Sequence, residues 1–366
     1  MSTGGATISM RGAGYYSANT VGAKTAINRV ADLVIAAAAK APALAPGEAF
    51  RVADFGAADG GTSMEMMRRL IGAIRAREPQ RQIALAYTDL PHNDFSTLFR
   101  LTQGLIGEAA PIADIPGVFI SAAGTSFYRQ IFPDASLSLG FSATAMHWLS
   151  RRPCMIADHV QAVGAAPAER EEFRAQGLAD WETILVARAR ELKPGGRLAF
   201  ANFCIDEACR YLGHTTDVDM FDGFARHWRA LRRAGRIGQA EYENATFQQF
   251  YKTSEEFAAP LRDPASAAAK AGLRLESIST MVTPCPYAEA FAAHGDAAAF
   301  ARAYVPTLRS WSETVFAGAL DPARPPAERM ALLDAFYGAY EAEVAAAPQG
   351  HRMDYVHCVA EIVKQA

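Results

Sequence analysis

The stretch Val52-Ala53-Asp54-Phe55-Gly56-Ala57-Ala58-Asp59-Gly60-Gly61-Thr62-Ser63 begins with strand character and closes where a helical pattern starts at Met64. Two acids and three glycines lie in and beside the turn. Glycine lets the chain turn tightly and lets a ligand lie against bare backbone. The helix that follows aims its free N–H groups at the loop. Strand, glycine-rich turn and helix in this order form the opening unit of a parallel α/β sheet.

The alternation continues on both sides. Residues 1–20 read as a Gly-rich polar arm, and residues 21–40 as a helix stopped by Pro42 and Pro46. Phe50–Phe55 is the first strand and Met64–Arg77 a helix with Arg on its outer side. Ile83–Thr88 is a second strand and Phe95–Gly104 a helix. Gly117–Ser121 and Ser136–Ser142 are the third and fourth strands. Glu169–Leu192 reads as a long amphipathic helix, which Pro194-Gly195-Gly196 turns into the strand Arg197–Phe203. Beyond residue 205 helices dominate, over 217–234, 254–272, 286–319 and 325–346. Two strands interrupt them, Leu273–Val282 and Tyr355–Val363. The expected class is α/β, one sheet under a largely helical cap. Residues 1–204, 246–283 and 351–366 would form the core, and 205–245 with 284–350 the cap.

Composition narrows the function. The chain has 366 residues, half of them hydrophobic, enough for a sizeable core. A net charge of −3 leaves no basic surplus, so nucleic acid is excluded as a main partner. No apolar run reaches membrane-spanning length, and the start MSTGGATISMRG lacks a secretion signal. Five scattered cysteines read as reduced thiols of a cytoplasmic protein.

The loop chemistry points to a cationic ligand. Gly56 and Gly60 stand four apart, unlike the G-x-G-x-x-G of dinucleotide sites. Asp59 would repel a pyrophosphate; it suits an ammonium or sulfonium, or else caps the helix. S-adenosylmethionine carries both positive groups and no phosphate. Asp89 ends the second strand, where it could accept hydrogen bonds from both ribose hydroxyls. The plainer alternative makes Asp54 and Asp59 helix-start residues and Asp89 the opening of a turn at Pro91.

Three runs follow successive strands: DLPHNDFSTLF (89–99), GTSFYRQIFP (124–133) and SATAMHWLS (142–150). Together they resemble the SABATH family of S-adenosylmethionine-dependent methyltransferases, whose runs are close to DLPxNDFNxLF, GSFYxxLFP and SxxxLHWLS. MRGAG (10–14) with Tyr16–Asn19, LKPGGRLAF (192–200), FYKTSEEF (250–257) and RAYVPTL (302–308) extend the likeness. The resemblance implies a Rossmann-like class I methyltransferase sheet and methylation of small carboxylic acids, with an N-methylating branch. It implies S-adenosyl-L-methionine as cofactor, a small-molecule carboxylic acid as substrate, no membrane partner and a homodimer. Carried over, the cofactor site comprises Tyr16, Thr20, Asp54, Gly56, Asp89, Leu90, Ser126, Phe127, Ser142 and Ala143. Thr20 stands for a Ser contacting the methionine carboxylate, and Phe127 offers its face to the adenine.

For the acceptor, the resemblance implies a pocket formed by Tyr16, Ala23, Lys24, Thr144, His147, Trp148, Met220 and Phe221. A carboxylate is ionised at pH 7 and needs no general base; it needs to be held in line with the methyl carbon. In the family an indole N–H and a Gln amide grip that carboxylate. Trp148 supplies the first, whereas the Gln position falls on Ala23. Lys24, Tyr16 or His147 could replace it, or Trp148 could act alone. His147, beside Trp148, is the second candidate for the catalytic centre. It would bond a polar substituent or satisfy a buried neighbour, with general-base work the least favoured role. Met220 and Phe221 read equally as pocket walls or as the core of an amphipathic helix. No metal site is expected: Cys204 and Cys209 are wrongly spaced for zinc. Ser126 lacks a nucleophile-elbow pattern. Three readings stay open: methyl ester formation, N- or phenol O-methylation, and a non-catalytic binding protein of the same fold.

Overall fold

A computed structural model describes residues 20–107 and 111–365. Eight strands form one sheet: β1 (Phe50–Phe55), β2 (Ile83–Asp89), β3 (Val118–Gly124), β4 (Leu137–Ala143), β5 (Leu192–Ile205), β6 (Lys252–Thr253), β7 (Leu273–Thr283) and β8 (Tyr355–Lys364). Their order is β3-β2-β1-β4-β5-β8-β7, with β6 pairing off β5. The first five are parallel to one another, and β8 runs antiparallel between β5 and β7. The order reverses at β1, whose flanking partners are β2 and β4. Sheets of this kind bind ligands at that reversal, beyond the carboxyl ends of the strands.

Both faces are covered. Helices 21–29, 31–39 and 64–77 bury Ile27, Val34, Met67 and Leu70 against one face. On the other face, the helix Pro167–Glu191 buries Trp181, Ile184 and Leu185 against Phe200 and Leu198. Strands buried on both faces read as near-continuous apolar runs, which explains why β1 and β4 were legible without clear alternation. The helices Met220–Arg233, Ala297–Ala319 and Pro326–Ala346 share a separate aromatic core, with Phe224, Trp228, Phe316 and Phe336 in mutual contact.

Three local expectations are corrected. The helix expected over 21–40 breaks at Val30, whose N–H turns to Ile27 O, giving Val21–Arg29 and Ala31–Ala39. Pro194-Gly195-Gly196 does not precede β5 but lies within it. The register with β4 shifts between Leu137 and Leu139, and Gly195 takes φ +77°. The strand expected over 117–121 extends to Gly124, because its backbone stays paired with β2 as far as Asp89.

Candidate active site

The turn after β1 is held by β2. Gly56 and Ala57 N–H both donate to Thr88 O, at 2.9 and 3.0 Å. Gly56 takes φ +80°, and a Cβ there would stand 2.3 Å from Ala145 Cβ. The loops after β1 and β4 therefore pass in contact, and only glycine permits it. Asp54 Oδ2 accepts a 2.6 Å hydrogen bond from Ser63 Oγ. Burial pushes the Asp54 carboxyl up to about 7; the Ser63 bond opposes this and the nearby Asp89 adds to it. Asp89 accepts from Ala58 N–H and Leu90 N–H, each at 2.7 Å. Burial raises its carboxyl too, against the downward pull of those two bonds. Asp59 accepts from Gly61 N–H at 3.1 Å and so serves the turn itself.

Between these loops lies a cavity of about 430 Å³. Asp54 and Asp89 supply its charge, Leu90, Phe127 and Phe141 its apolar walls, and Trp148 its far end. Among the described residues no lysine or arginine lines it. The wall carrying Ser126 and Phe127 is fixed from behind. Arg188, fully buried, donates to Phe127 O at 2.8 Å and Arg129 O at 2.9 Å. It pairs with buried Glu191 at 2.6 Å, and Glu191 accepts in turn from Ile131 and Phe132 N–H. Desolvating such a pair is tolerated because the remaining donors and acceptors are met by backbone.

A second cavity, about 30 Å³, shares Thr144 and Trp148 with the first. Thr20, His147, Phe203, Gln249 and Trp311 also line it. Among the described residues no lysine, arginine or carboxylate lines it. Thr144, at the junction, takes φ +52°, an unusual conformation for a β-branched residue. His147 is held neutral: burial lowers its pKa well below the ordinary value, and the charges of Lys252 and His357 add to this.

The chain matches the SAM-dependent carboxyl methyltransferase description over residues 7–316. It belongs to the SABATH family of carboxyl methyltransferases. Methyltransferase FUS9 of Gibberella fujikuroi is 30% identical over 217 residues, 58% of this chain and 56% of that protein. Indole-3-acetate O-methyltransferase 1 of Arabidopsis thaliana is 30% identical over 169 residues, 41% of this chain and 44% of its own length. The chain spans about half the length of the curated relatives it matches. Loganic acid methyltransferase, solved with SAH, has the same fold, with TM-score 0.76 and 18% identity over 98% of this chain and 99% of that one. The fold is that of a class I methyltransferase.

The larger cavity fits the family's cofactor, S-adenosylmethionine. Two carboxylates, with His92 the one basic side chain among the described lining residues, suit a cationic amino acid joined to a ribose diol better than a phosphate. Each Asp89 oxygen retains a lone pair after its backbone bond. Phe127 and Leu90 give the flat apolar walls an adenine requires.

Of the residues singled out in the sequence, Asp54, Gly56, Asp89, Leu90, Ser126, Phe127, Ala143 and Thr144 meet around the larger cavity, with Trp148. Thr20 and His147 line the smaller one. Several others fall elsewhere. The Ser142 hydroxyl is spent on Phe55 O at 2.8 Å, beneath the floor. Lys24 is half exposed and pairs with Glu65 at 3.5 Å. Ala23 is buried in the aromatic core of the later helices. Met220 and Phe221 line neither cavity and are buried in the same core; Phe221 packs on Tyr251 and Trp311. Tyr16 lies outside the described residues. Missed were Arg188, Gln249 and Trp311. Arg188 sits in an ordinary helical pattern, and Gln249 is one of two adjacent glutamines in an apolar run, so neither carries a spacing signal.

Among the described residues no helix is long and apolar enough to cross a membrane. All five cysteines are free thiols.

Proposed function

We propose that this chain forms the methyl ester of a small organic carboxylic acid with S-adenosylmethionine as donor. The observation that carries the reading is the sharing of Trp148 and Thr144 by two chemically opposite cavities. One has two carboxylates for a cation; the other is small, uncharged and apolar. Ester formation on indole-3-acetate by relatives of that name supports the carboxylate as acceptor.

In this reading Asp89 holds the ribose hydroxyls, Leu90, Ser126 and Phe127 enclose the adenine, and Asp54 faces the ammonium. Gly56, Ala143 and Ser142 give the floor its shape, while Tyr16 and Thr20 close the methionine end. When bound, the cofactor supplies an electrophilic methyl carbon on a positively charged sulfur. Trp148 donates its indole N–H to the acid and aligns its oxygen, an effect strengthened by the apolar surroundings. His147, whose pKa burial holds well below the ordinary value, walls the acyl side. Residues 205–245 and 284–350 act as the cap over the acid, on a core of 1–204, 246–283 and 351–366. The free thiols support a reducing, cytoplasmic setting; the homodimer rests on the family likeness alone.

The test is labelled-methyl transfer to a panel running from acetate through benzoate to indole-3-acetate, followed by mild alkaline hydrolysis. The expected product releases methanol. Alkali-stable product means N- or aryl O-methylation, and tight cofactor binding without turnover means a binding protein.

A further inference from the structure

The smaller cavity presents a carboxylate with a second donor from an unexpected place. Trp148 and Gln249 form an isolated antiparallel bridge. Phe250 N–H donates to His147 O at 3.0 Å, and Leu149 N–H to Gln248 O at 2.9 Å. These bonds flank the pair, so Trp148 and Gln249 face each other at a non-hydrogen-bonded position. There the two Cα atoms approach most closely and both side chains leave on the same side of the ladder. Both side chains line the smaller cavity.

Gln249 is buried, and its amide is already oriented. Tyr251 donates its hydroxyl to Gln249 Oε1 at 3.2 Å. The carbonyl end is thereby occupied, which leaves the NH2 end as the free one. Among the described residues, no hydrogen bond engages Gln249 Nε2 or Trp148 Nε1. A primary amide that faces an enclosed cavity without an acceptor gains one when an anion enters. Among the described residues no lysine or arginine lines either cavity, so the donors these offer a carboxylate in the smaller one are neutral. The position where the family resemblance places a Gln holds Ala23, and Lys24 is engaged by Glu65.

We propose that Gln249 is the second carboxylate donor, working beside Trp148 as a neutral two-point clamp, with Tyr251 as the residue that orients it. Neutral donors hold the acid in line without neutralising the oxygen that must attack. This assignment rests on the acid-methylating reading above.

The experiment takes the acid of the panel that yields most ester with the wild-type protein. Gln249→Leu removes the donor at similar volume. Its KM for that acid should rise about tenfold to a hundredfold, the loss of a hydrogen bond to a charged group. Affinity for S-adenosylhomocysteine, measured by calorimetry, should stay within about twofold. Gln249→Glu keeps the size and the Tyr251 bond but sets a like charge against the acid, and should raise KM further. Tyr251→Phe should give a smaller rise, through lost orientation. An unchanged KM in folded Gln249→Leu or Gln249→Glu overturns the clamp while wild-type ester formation leaves the function standing. Should the Leu variant not fold, the isosteric Glu variant and Tyr251→Phe carry the test. Wild-type transfer that gives only alkali-stable product, or none, overturns the acid reading and the clamp with it.

Discussion

Ser63 Oγ donates to Asp54 Oδ2 at 2.6 Å, and both side chains are buried at the mouth of β1. The bond moderates but does not cancel the effect of burial, which leaves the Asp54 carboxyl titrating near 7 instead of 3.8. A cation placed against it favours the ionised form and expels the proton. Cofactor affinity should therefore rise about tenfold from pH 6 to pH 8, most of it below pH 7, and then level off. Calorimetry in two buffers of different ionisation enthalpy should register proton release near pH 6. Asp54→Asn should bind more weakly and lose the pH dependence; a flat wild-type profile would remove Asp54 from the ammonium site.

The same carboxyl affects stability with a definite sign. Its folded pKa lies above the unfolded value, so its contribution is present below pH 4 and lost as pH rises through 7. His357 acts in the opposite sense. It stacks on Phe203 at 4.8 Å, neither ring nitrogen has a partner among the described residues, and burial lowers its pKa to about 3. A histidine depressed in the folded state contributes fully above about pH 6.5 and loses that contribution as pH falls towards 3. His357→Phe should flatten the acid side of the stability curve. Denaturant midpoints at pH 7 and pH 5 should separate it from the wild type by up to roughly 2 kcal/mol at the lower pH.

Gly56→Ala should damage the site more than a turn glycine elsewhere. Gly56 combines φ +80° with the 2.3 Å approach of Ala145 Cβ. Gly47 has nearly the same φ, +79°, and open space around it. Gly47→Ala should cost only the backbone strain, about 1 kcal/mol. Gly56→Ala should cost more and should also weaken cofactor binding, because the loops after β1 and β4 must part. Equal melting shifts in the two variants would show that the contact relaxes freely.

Arg188 should behave as a positioning residue for the wall around Phe127. Arg188→Met leaves Glu191 buried without its partner and should cost about 3–5 kcal/mol. Adding Glu191→Gln, which removes the charge but keeps an acceptor for Ile131 and Phe132 N–H, should recover part of that stability. It should not recover cofactor affinity, because Phe127 O and Arg129 O stay without the guanidinium that holds them. Chemical denaturation and cofactor calorimetry on single and double variants check both halves.

Trp148→Phe keeps the ring and removes the N–H. Turnover on acids should fall about tenfold or more while cofactor affinity holds, because the lost bond is made to the acid. Unaltered ester formation would make Trp148 a packing residue.

The runs around Asp54, Asp89, Phe127 and Trp148 could be read because each is a local event. A strand end, a glycine turn and a helix start are written in a few consecutive residues, and parallel strands deliver all such loops to one edge. That was enough for the sheet, the cofactor loops and the family. Local pattern could not show that Ser142 bonds to Phe55 O, that Met220 and Phe221 line neither cavity, or that Val30 interrupts a helix. A periodic pattern reports that a side chain is buried, not which surface it is buried against.

The sequence alone determined the order of strands and helices and the chemistry of the loops at the carboxyl edge, because turns and periodicity act over neighbouring residues. Only the tertiary structure decided that Arg188 braces Phe127 and that Gln249 stands across from Trp148. Those relationships join segments far apart along the chain, and strand pairing and helix packing, not spacing, bring their side chains to one side.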